Sequence, residues 1–432
     1  MAKLLDKQRY KCALAAMQTV QAIDRAIPVL HSGPGCAQKL SDGTGSSGYF
    51  SPNIFPCTSI NERDVVFGGT KKLESTIDNA LKVIDADLYV VLTGCIPEIT
   101  GDDCSEVVSR FSGAPKPVIF ASTAGFKGNN YVGHEQVIDA ISEQYLEPTD
   151  ERVPGLVNVW ADVPYQDLFW LGNTREIERL LRSIGLVPNT IFGFAHGIEN
   201  IRLIPKAQFN LLVSPWVMLG CVKKMQRRFG TPYLHVPTLP IGATETSKFL
   251  RTVGSFAGVA SDVVERAVSE GEAYYYYLIE RYADLFLENR VINKEFSVVA
   301  DAQYALSLTK FLVNDLGLFP ATQFVTDDTP DRHRKLIADE FAALNYGIRA
   351  DVRFETDSYK IHQVIRETDY HGYPLILGSY YEKEICESLK GNYINIAWPV
   401  QDKVVLDEHY AGYTGGIKLI EDIYSVAVQR FN

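Results

Sequence analysis

Short apolar runs rich in β-branched and aromatic residues alternate with amphipathic stretches along the whole chain, and this alternation constrains the fold more than any other feature. "ADLYVVL" (86–92) is followed by a helical pattern near "DDCSEVVSRF" and then by "KPVIFAS". "GLVNVWA" (155–161) precedes "NTREIERLLRSIGL" (173–186), where Asn173 and Glu176 have the spacing of a capping box. "FNLLVS" (209–214) precedes "MLGCVKKMQRRFG", whose Gly230 suits a helix C-terminus. "FSVVAD" (296–301), "LGLFPATQFVT" (316–326) and "YPLILGS" (373–379) continue the pattern, alternating with "AQYALSLTKFLVND" and "YYEKEICESLK". Strands that are apolar throughout are buried on both faces, and helices between them imply parallel sheets.

At 432 residues the chain is too long for one core. Boundaries near 150–154 and 290–295 divide it into three units: 1–150, 151–290 with a long helical connector over 244–290, and 291–432. The expected fold is α/β, with three tandem doubly wound domains built on parallel sheets. Lys and Arg number 42 against 53 Asp and Glu, a net charge of −11 that offers no basic footprint for nucleic acid. The N-terminus lacks the apolar core of a signal peptide and no run reaches the length of a membrane span, so a cytoplasmic location is expected.

Two glycine-rich stretches resemble nucleotide sites without their context. "GTGSSG" (43–48) has the dinucleotide spacing but runs into "YFSPNIFP", whose prolines oppose the helix that should follow. "FGGTKK" (67–72) lacks the spacing of a phosphate loop. Eight histidines are scattered, and His235 in "PYLHVP" reads as a satisfied core residue. His31, five residues before Cys36, reads equally as a neighbour of a ligand or as structural. "YYYY" (274–277) reads as helix packing.

Seven cysteines, with no C-x-x-C pair, argue against both a disulfide framework and a local metal finger. Cys12, Cys104, Cys221 and Cys386 have apolar neighbours in helical patterns and read as buried filler. Cys36 in "VLHSGPGC", Cys57 in "SPNIFPC" and Cys95 in "VVLTGC" instead sit where strands or prolines end, two of them directly after glycine. Such glycines let backbone approach a bulky inorganic group, and loop N–H groups stabilise thiolates. Three thiolates are one short of the four that a [4Fe–4S] cluster normally takes. The residues alone leave two readings open: a cluster completed by another residue or chain, or three inert thiols.

"HSGPGC", "CTSINERDVVFGGTKKL" and "TGCIPEITGDD" resemble the three cluster-binding segments of the nitrogenase component 1 family. "PWVMLGCVKKMQRRFGTPYLHVPTLPIGATETSKFLR" and "WPVQDKVVLDEHYAGYTGGIKLIEDIY" resemble that family's beta-type chains. The resemblance implies three Rossmann-like domains. It also implies that Cys36, Cys57 and Cys95 hold half of a P-cluster-like [8Fe–7S] centre shared with a homologous alpha-type subunit, with a [4Fe–4S] cluster as the alternative. Gly35, Gly94, Ser122 and Thr123 would stand close behind the ligands, and Phe67 would lie at the docking face for an ATP-hydrolysing iron protein. Catalytic residues would lie in the partner, because Ser214 and Trp398 stand where alpha-type chains hold their cofactor by cysteine and histidine. Gly125 matches the serine that ligates the oxidised P-cluster in molybdenum enzymes. The Gly- and Ser-rich stretch between Cys36 and Cys57, and the short N-terminus, depart from dinitrogen-reducing beta chains. They imply a nitrogenase-like reductase of the methylthio-alkane type in an α2β2 assembly. Beta subunits of alternative nitrogenases and cofactor-maturation scaffolds are the other possibilities.

Overall fold

The computed structural model describes residues 9–45, 55–289 and 293–429. Three sheets, with every strand pairing parallel, succeed one another along the chain. The first has the order β1 (Ala26–His31), β2 (Leu88–Thr93), β3 (Val118–Ala121). The second uses β4 (Val153–Trp160), β5 (Val187–Asn189), β6 (Ala207–Val213) and β7 (Tyr233–Val236), in the order β5-β4-β6-β7. The third uses β8 (Glu295–Ala300), β9 (Phe319–Pro320), β10 (Gln323–Val325), β11 (Val352–Phe354), β12 (Leu375–Gly378) and β13 (Asn392–Asn395). Its order is β11-β10-β8-β12-β13, with β9 also on β8. The expected α/β class with parallel sheets is what the chain adopts.

In β2, "LYVVLT" is buried at all six positions because both faces are covered. Alternate side chains enter different cores. Val29, Tyr89 and Val91 pack with Leu73, Ile77 and Val107 on one face. Leu30, Val90 and Leu92 join Met17, Val137, Ile138 and Ile141 in the main core on the other. The third sheet splits the same way, with Val299 and Ile376 against Phe324 and Ile361 but Val298 and Leu377 in the main core.

Local expectations fared unevenly. Gly230 ends the helix Leu219–Phe229 with φ 70°, as its position suggested. The capping box at Asn173 and Glu176 does not form. That helix starts three residues earlier, at Trp170, so Asn173 lies buried inside it, donating to the Tyr304 hydroxyl at 2.7 Å and accepting from the Tyr410 and Ala411 N–H groups. "LGLFPATQFVT" gives two short strands instead of one. Phe319 N and Ala321 N donate to Lys294 O (2.8 Å) and Phe296 O (2.9 Å), but the Gln323 backbone N–H turns to Asp351 O (2.8 Å), and the Gln323 side chain faces β8 in its place. It accepts from Val298 N at 2.9 Å and donates to Phe296 O at 3.2 Å. The helical connector is two helices, Gly242–Ala257 and Ser261–Asn289, separated at Gly258. In the "YYYY" run only Tyr275 is buried; Tyr274, Tyr276 and Tyr277 are exposed. The second half of "GTGSSG" lies outside the described residues. Among the described residues, no helix is long and apolar enough to cross a membrane.

Candidate functional site

The site lies at the carboxyl ends of the first sheet, the edge where parallel α/β sheets place their ligands. Cys36 is in the first turn of the helix Pro34–Gly45, and its N–H donates to Gly33 O at 3.2 Å. Cys57 pairs in parallel with Leu30. Flanking bonds Leu30 N to Pro56 O (2.8 Å) and Thr58 N to Leu30 O (2.9 Å) make residues 56–58 an extra edge beside β1. Cys95 opens the helix Cys95–Thr100 directly after β2 and Gly94. The Cys57 sulfur is 3.6 Å from Ser32 O and receives the Ser59 N–H at 3.4 Å. Three cysteines far apart in sequence are therefore gathered by one turn, residues 31–36, and its two neighbours.

The expected lining residues divide. Gly94 is required by Ser32, since an added methyl would stand 2.3 Å from the Ser32 Oγ. Gly35 faces open space and is exposed. Ser122 bonds Glu98 at 2.5 Å, and Lys127 pairs with the same carboxylate. Burial opposes ionisation of Glu98, but Lys127, Ser122 and Thr93 outweigh it and hold the carboxyl below its ordinary range. Thr123 is buried and tied to β2, donating to Thr93 O at 3.1 Å. These two hydroxyls fasten loop to strand and helix. At Gly125, by contrast, an added methyl would meet the Cys95 sulfur at 3.3 Å, so this backbone faces the thiols directly.

His31 is fully buried. Its ring nitrogens lie 3.1 Å from Thr58 Oγ1 and 3.1 Å from Asp102 Oδ2. Burial lowers its pKa against the pull of Asp102, which favours the neutral ring. Asp102 also accepts the Gly69 N–H at 2.9 Å, so the helix start that gave "FGGTKK" its phosphate-loop look is already filled by a carboxylate. Asp103 caps the following helix by accepting from Glu106 N at 2.9 Å. The acidic pair after Cys95 thus has structural duties. Phe67, at the end of the helix Glu62–Phe67, is 81% exposed beside Val66 at 71%. His235 bonds Ser214 O at 2.8 Å, a satisfied histidine as expected.

One cysteine departs from its sequence reading. Cys104, Cys221 and Cys386 are buried, and burial first of all pushes the Cys104 thiol up to about 12 and Cys221 well above its usual value. Cys12 is exposed. It stands before the short helical turn Ala13–Ala15, paired antiparallel with Asn129, so that Cys12 lies at the same loop cluster as Gly125 and Cys95. The polar "DKQRYK" before it marks a boundary position; the apolar "ALAAM" after it made the residue look interior. Among the described residues no three His, Cys, Asp or Glu side chains close on one point as a single metal ion requires.

Ser214 lies on a second feature, a cavity of about 20 Å³ between the second and third sheets, lined also by Tyr131, Asp162, Asp167, Trp216, Asp301 and Asp327. That volume holds about one water molecule. Trp398 is not among its lining residues; its ring lies 5.3 Å from Lys11 Nζ.

The "Nitrogenase component 1 type Oxidoreductase" family matches residues 12–427. The chain belongs to the nitrogenase component 1 family. The nitrogenase molybdenum-iron protein beta chain of Clostridium pasteurianum is 23% identical over 96% of this chain and 92% of its own. A light-independent protochlorophyllide reductase chain of Angiopteris evecta is 27% identical over 60% of this chain and 53% of its own. A solved structure described as nitrogenase Cp1 at pH 6.5 superposes with a TM-score of 0.82 at 20% identity, covering all of this chain and 95% of that one. This nitrogenase component 1 chain is of the beta type, a subunit of an oxidoreductase complex.

Proposed function

We propose that this chain carries a P-cluster-like iron–sulfur centre on Cys36, Cys57 and Cys95. It would relay electrons from an ATP-dependent iron protein to a metallocofactor in an alpha-type partner, in an α2β2 assembly in the cytoplasm. The convergence of three thiols on the carboxyl edge of the first sheet carries this reading. The donors fit such a group: the thiols are not in disulfides, the Ser59 N–H faces the Cys57 sulfur, and Gly125 leaves the Cys95 sulfur clear. When bound, the cluster would supply one-electron storage. The protein's share is to fix the thiolates on a rigid sheet edge and to anchor the loops beneath them through Thr58, His31 and Asp102. Phe67 and Val66 form the exposed apolar end that suits docking of the iron protein. Ser214 and Trp398, standing where alpha-type chains of the family use a cysteine and a histidine, support assigning substrate chemistry to the partner. The division into units 1–150, 151–290 and 291–432 is proposed on the same basis, one sheet to each.

For the substrate we favour reductive C–S cleavage of methylthio-alkanes, on the Gly- and Ser-rich segment after Cys36. Dinitrogen reduction and cofactor maturation are the competing outcomes; a relative named nitrogenase iron-molybdenum cofactor biosynthesis protein NifE is 26% identical over 72% of this chain. The test is anaerobic purification of the native complex, with iron, sulfide and EPR measured beside Cys95→Ala. About four irons per chain beyond the partner's cofactor, lost in the variant, are expected for half of an eight-iron centre. An iron-free complex, or unchanged iron in the variant, overturns the reading. Turnover assays with methylthio-alkane, acetylene and dinitrogen then separate the substrates, and transfer of the cluster to an acceptor protein would identify a scaffold.

A further inference from the structure

We propose that the Cys12 thiolate is a fourth ligand from this chain to the same cluster, completing a four-sulfur set with Cys36, Cys57 and Cys95. The inference rests on the cluster reading above but concerns a residue outside the family's three-cysteine pattern. Its first support is placement. A methyl added at Gly125 would lie 3.3 Å from the Cys95 sulfur and 3.8 Å from the Cys12 sulfur, so the two thiols flank one side-chain-sized gap. The Ala15 N–H donates to Cys12 O at 2.9 Å, which fixes Cys12 at the start of the turn Ala13–Ala15.

The second support is rigidity. Lys11 and Ala13 are tied on either side of Cys12 to the loop that follows Gly125. Ala13 N donates to Gly128 O at 3.1 Å, Asn130 N to Lys11 O at 2.8 Å, and Lys11 N to Asn130 Oδ1 at 2.9 Å. Arg9 anchors the segment further, in a buried ion pair with Glu382 in the third unit. The third support is the sorting of the cysteines. Three of the seven are buried as core residues, and all four that are not lie at this one sheet edge. A chemically exposed free thiol serves no packing purpose, whereas four thiolates are the usual complement of a four-iron cubane. The binding step is a ligand exchange with no change of oxidation state: the Cys12 S–H bond breaks and its proton goes to solvent, and an Fe–S bond forms as the Fe–O bond to a water ligand on that iron breaks and the water leaves.

The test uses the anaerobically purified complex with Cys12→Ser and Cys12→Ala. Iron-edge X-ray absorption, EPR and the cluster's midpoint potential are measured for each. Cys12→Ser is expected to replace one Fe–S by an Fe–O scatterer and to shift both the EPR signal and the potential; Cys12→Ala is expected to alter the signal without the oxygen scatterer. In the unmodified complex, iron removal by a chelator should raise alkylation of Cys12 by iodoacetamide about tenfold or more as the thiolate is freed. Iron lost in Cys95→Ala but spectra and potential unchanged in both Cys12 variants would overturn this inference and leave the cluster reading standing. An iron-free native complex would overturn both. Poor assembly of the variants would leave the alkylation experiment to decide, and Cys12 labelling that is indifferent to iron would refute the assignment.

Discussion

At Gly94 an added methyl would lie 2.3 Å from the Ser32 Oγ and 2.9 Å from the Ser32 Cβ, and both residues belong to turns that carry a thiol. Gly94→Ala should therefore cost about 1–3 kcal/mol by overpacking and displace Cys95 at the same time. Thermal melts and iron content of the complex would register both losses. Adding Ser32→Gly should restore them, because it removes both clashing atoms; a double variant no better than the single one would place the fault elsewhere. Glu382 makes a different kind of prediction. Its burial opposes ionisation, yet Arg9 and His362 outweigh that and bring its pKa down to about 2 from 4.5. A carboxylate depressed in the folded state stabilises it above the unfolded value and loses that contribution as pH falls from about 4.5 to about 2. Arg9→Ala leaves the buried charge without its guanidinium, held by His362 and by the Ser379 N–H and hydroxyl, and should cost about 3–5 kcal/mol at pH 7, read by urea denaturation. In Glu382→Gln the acid-side loss of stability between those two pH values should shrink. Neither partner of this pair was legible in the sequence, because 373 residues separate them. Cys36, Cys57 and Cys95 were legible because each stands beside a glycine or a proline at an element's end. Cys12 was not, because it precedes an apolar run that reads as its own helix.

The elements themselves were readable wherever one physical signal dominated. β2 and β8 are continuous apolar runs, and the helix Ala302–Asn314 has all thirteen residues buried, so hydrophobicity alone located them. The reading failed where tertiary contacts override a local motif. Asn173 has the chemistry of a cap but spends its hydrogen bonds on Tyr304, Tyr410 and Ala411. β9 and β10 look like one strand until the Gln323 side chain replaces their missing rungs. The pairing of the segment around Cys12 with the loop around Asn129 was likewise invisible, since an isolated bridge leaves no periodic pattern. It does leave a steric one. In the helix Asn130–Gln144, a methyl at Gly133 would stand 2.1 Å from Ala13 O, so the helix and the N-terminal segment touch backbone to backbone. Gly133→Ala should push that segment off the helix at a cost of about 1–3 kcal/mol. It should also quicken proteolytic cleavage before residue 16, measured by mass spectrometry of timed digests. A rate equal to the unmodified protein's would mean that the ties on either side of Cys12 hold without this contact.

Across the whole molecule, the carboxyl ends of the second and third sheets converge on a cavity of about 20 Å³, and four aspartates, Asp162, Asp167, Asp301 and Asp327, line it. Their donors cross between the loops of the two sheets: Gln303 serves Asp162, the Tyr304 hydroxyl donates to Asp167 at 2.9 Å, and the Trp216 indole to Asp327 at 2.8 Å. Burial raises all four pKa values, that of Asp162 to about 6 and that of Asp301 to about 7, with Asp167 and Asp327 adding repulsion at Asp301. Sequence reading named Ser214 only for its match to a cofactor ligand of alpha-type chains and named none of the acids, because they come from loops that only the packing of two sheets brings together. The consequence is a pH dependence opposite to that of Glu382. An acid whose folded pKa is raised from 3.8 to about 7 contributes its full stability below the lower value and loses it as pH rises through the higher one. Asp301 also caps the helix Ala302–Asn314, accepting from Gln303 N at 3.0 Å, a duty that an amide oxygen can keep. Asp301→Asn should thus stabilise the chain by up to about 4 kcal/mol at pH 8, with the advantage narrowing as the pH falls from about 7 towards 4. Chemical denaturation of the two proteins at pH 8, 6 and 4.5 would follow that gap. A constant difference across the three would mean that Asp301 is not the group whose charge opposes the joining of these two sheets.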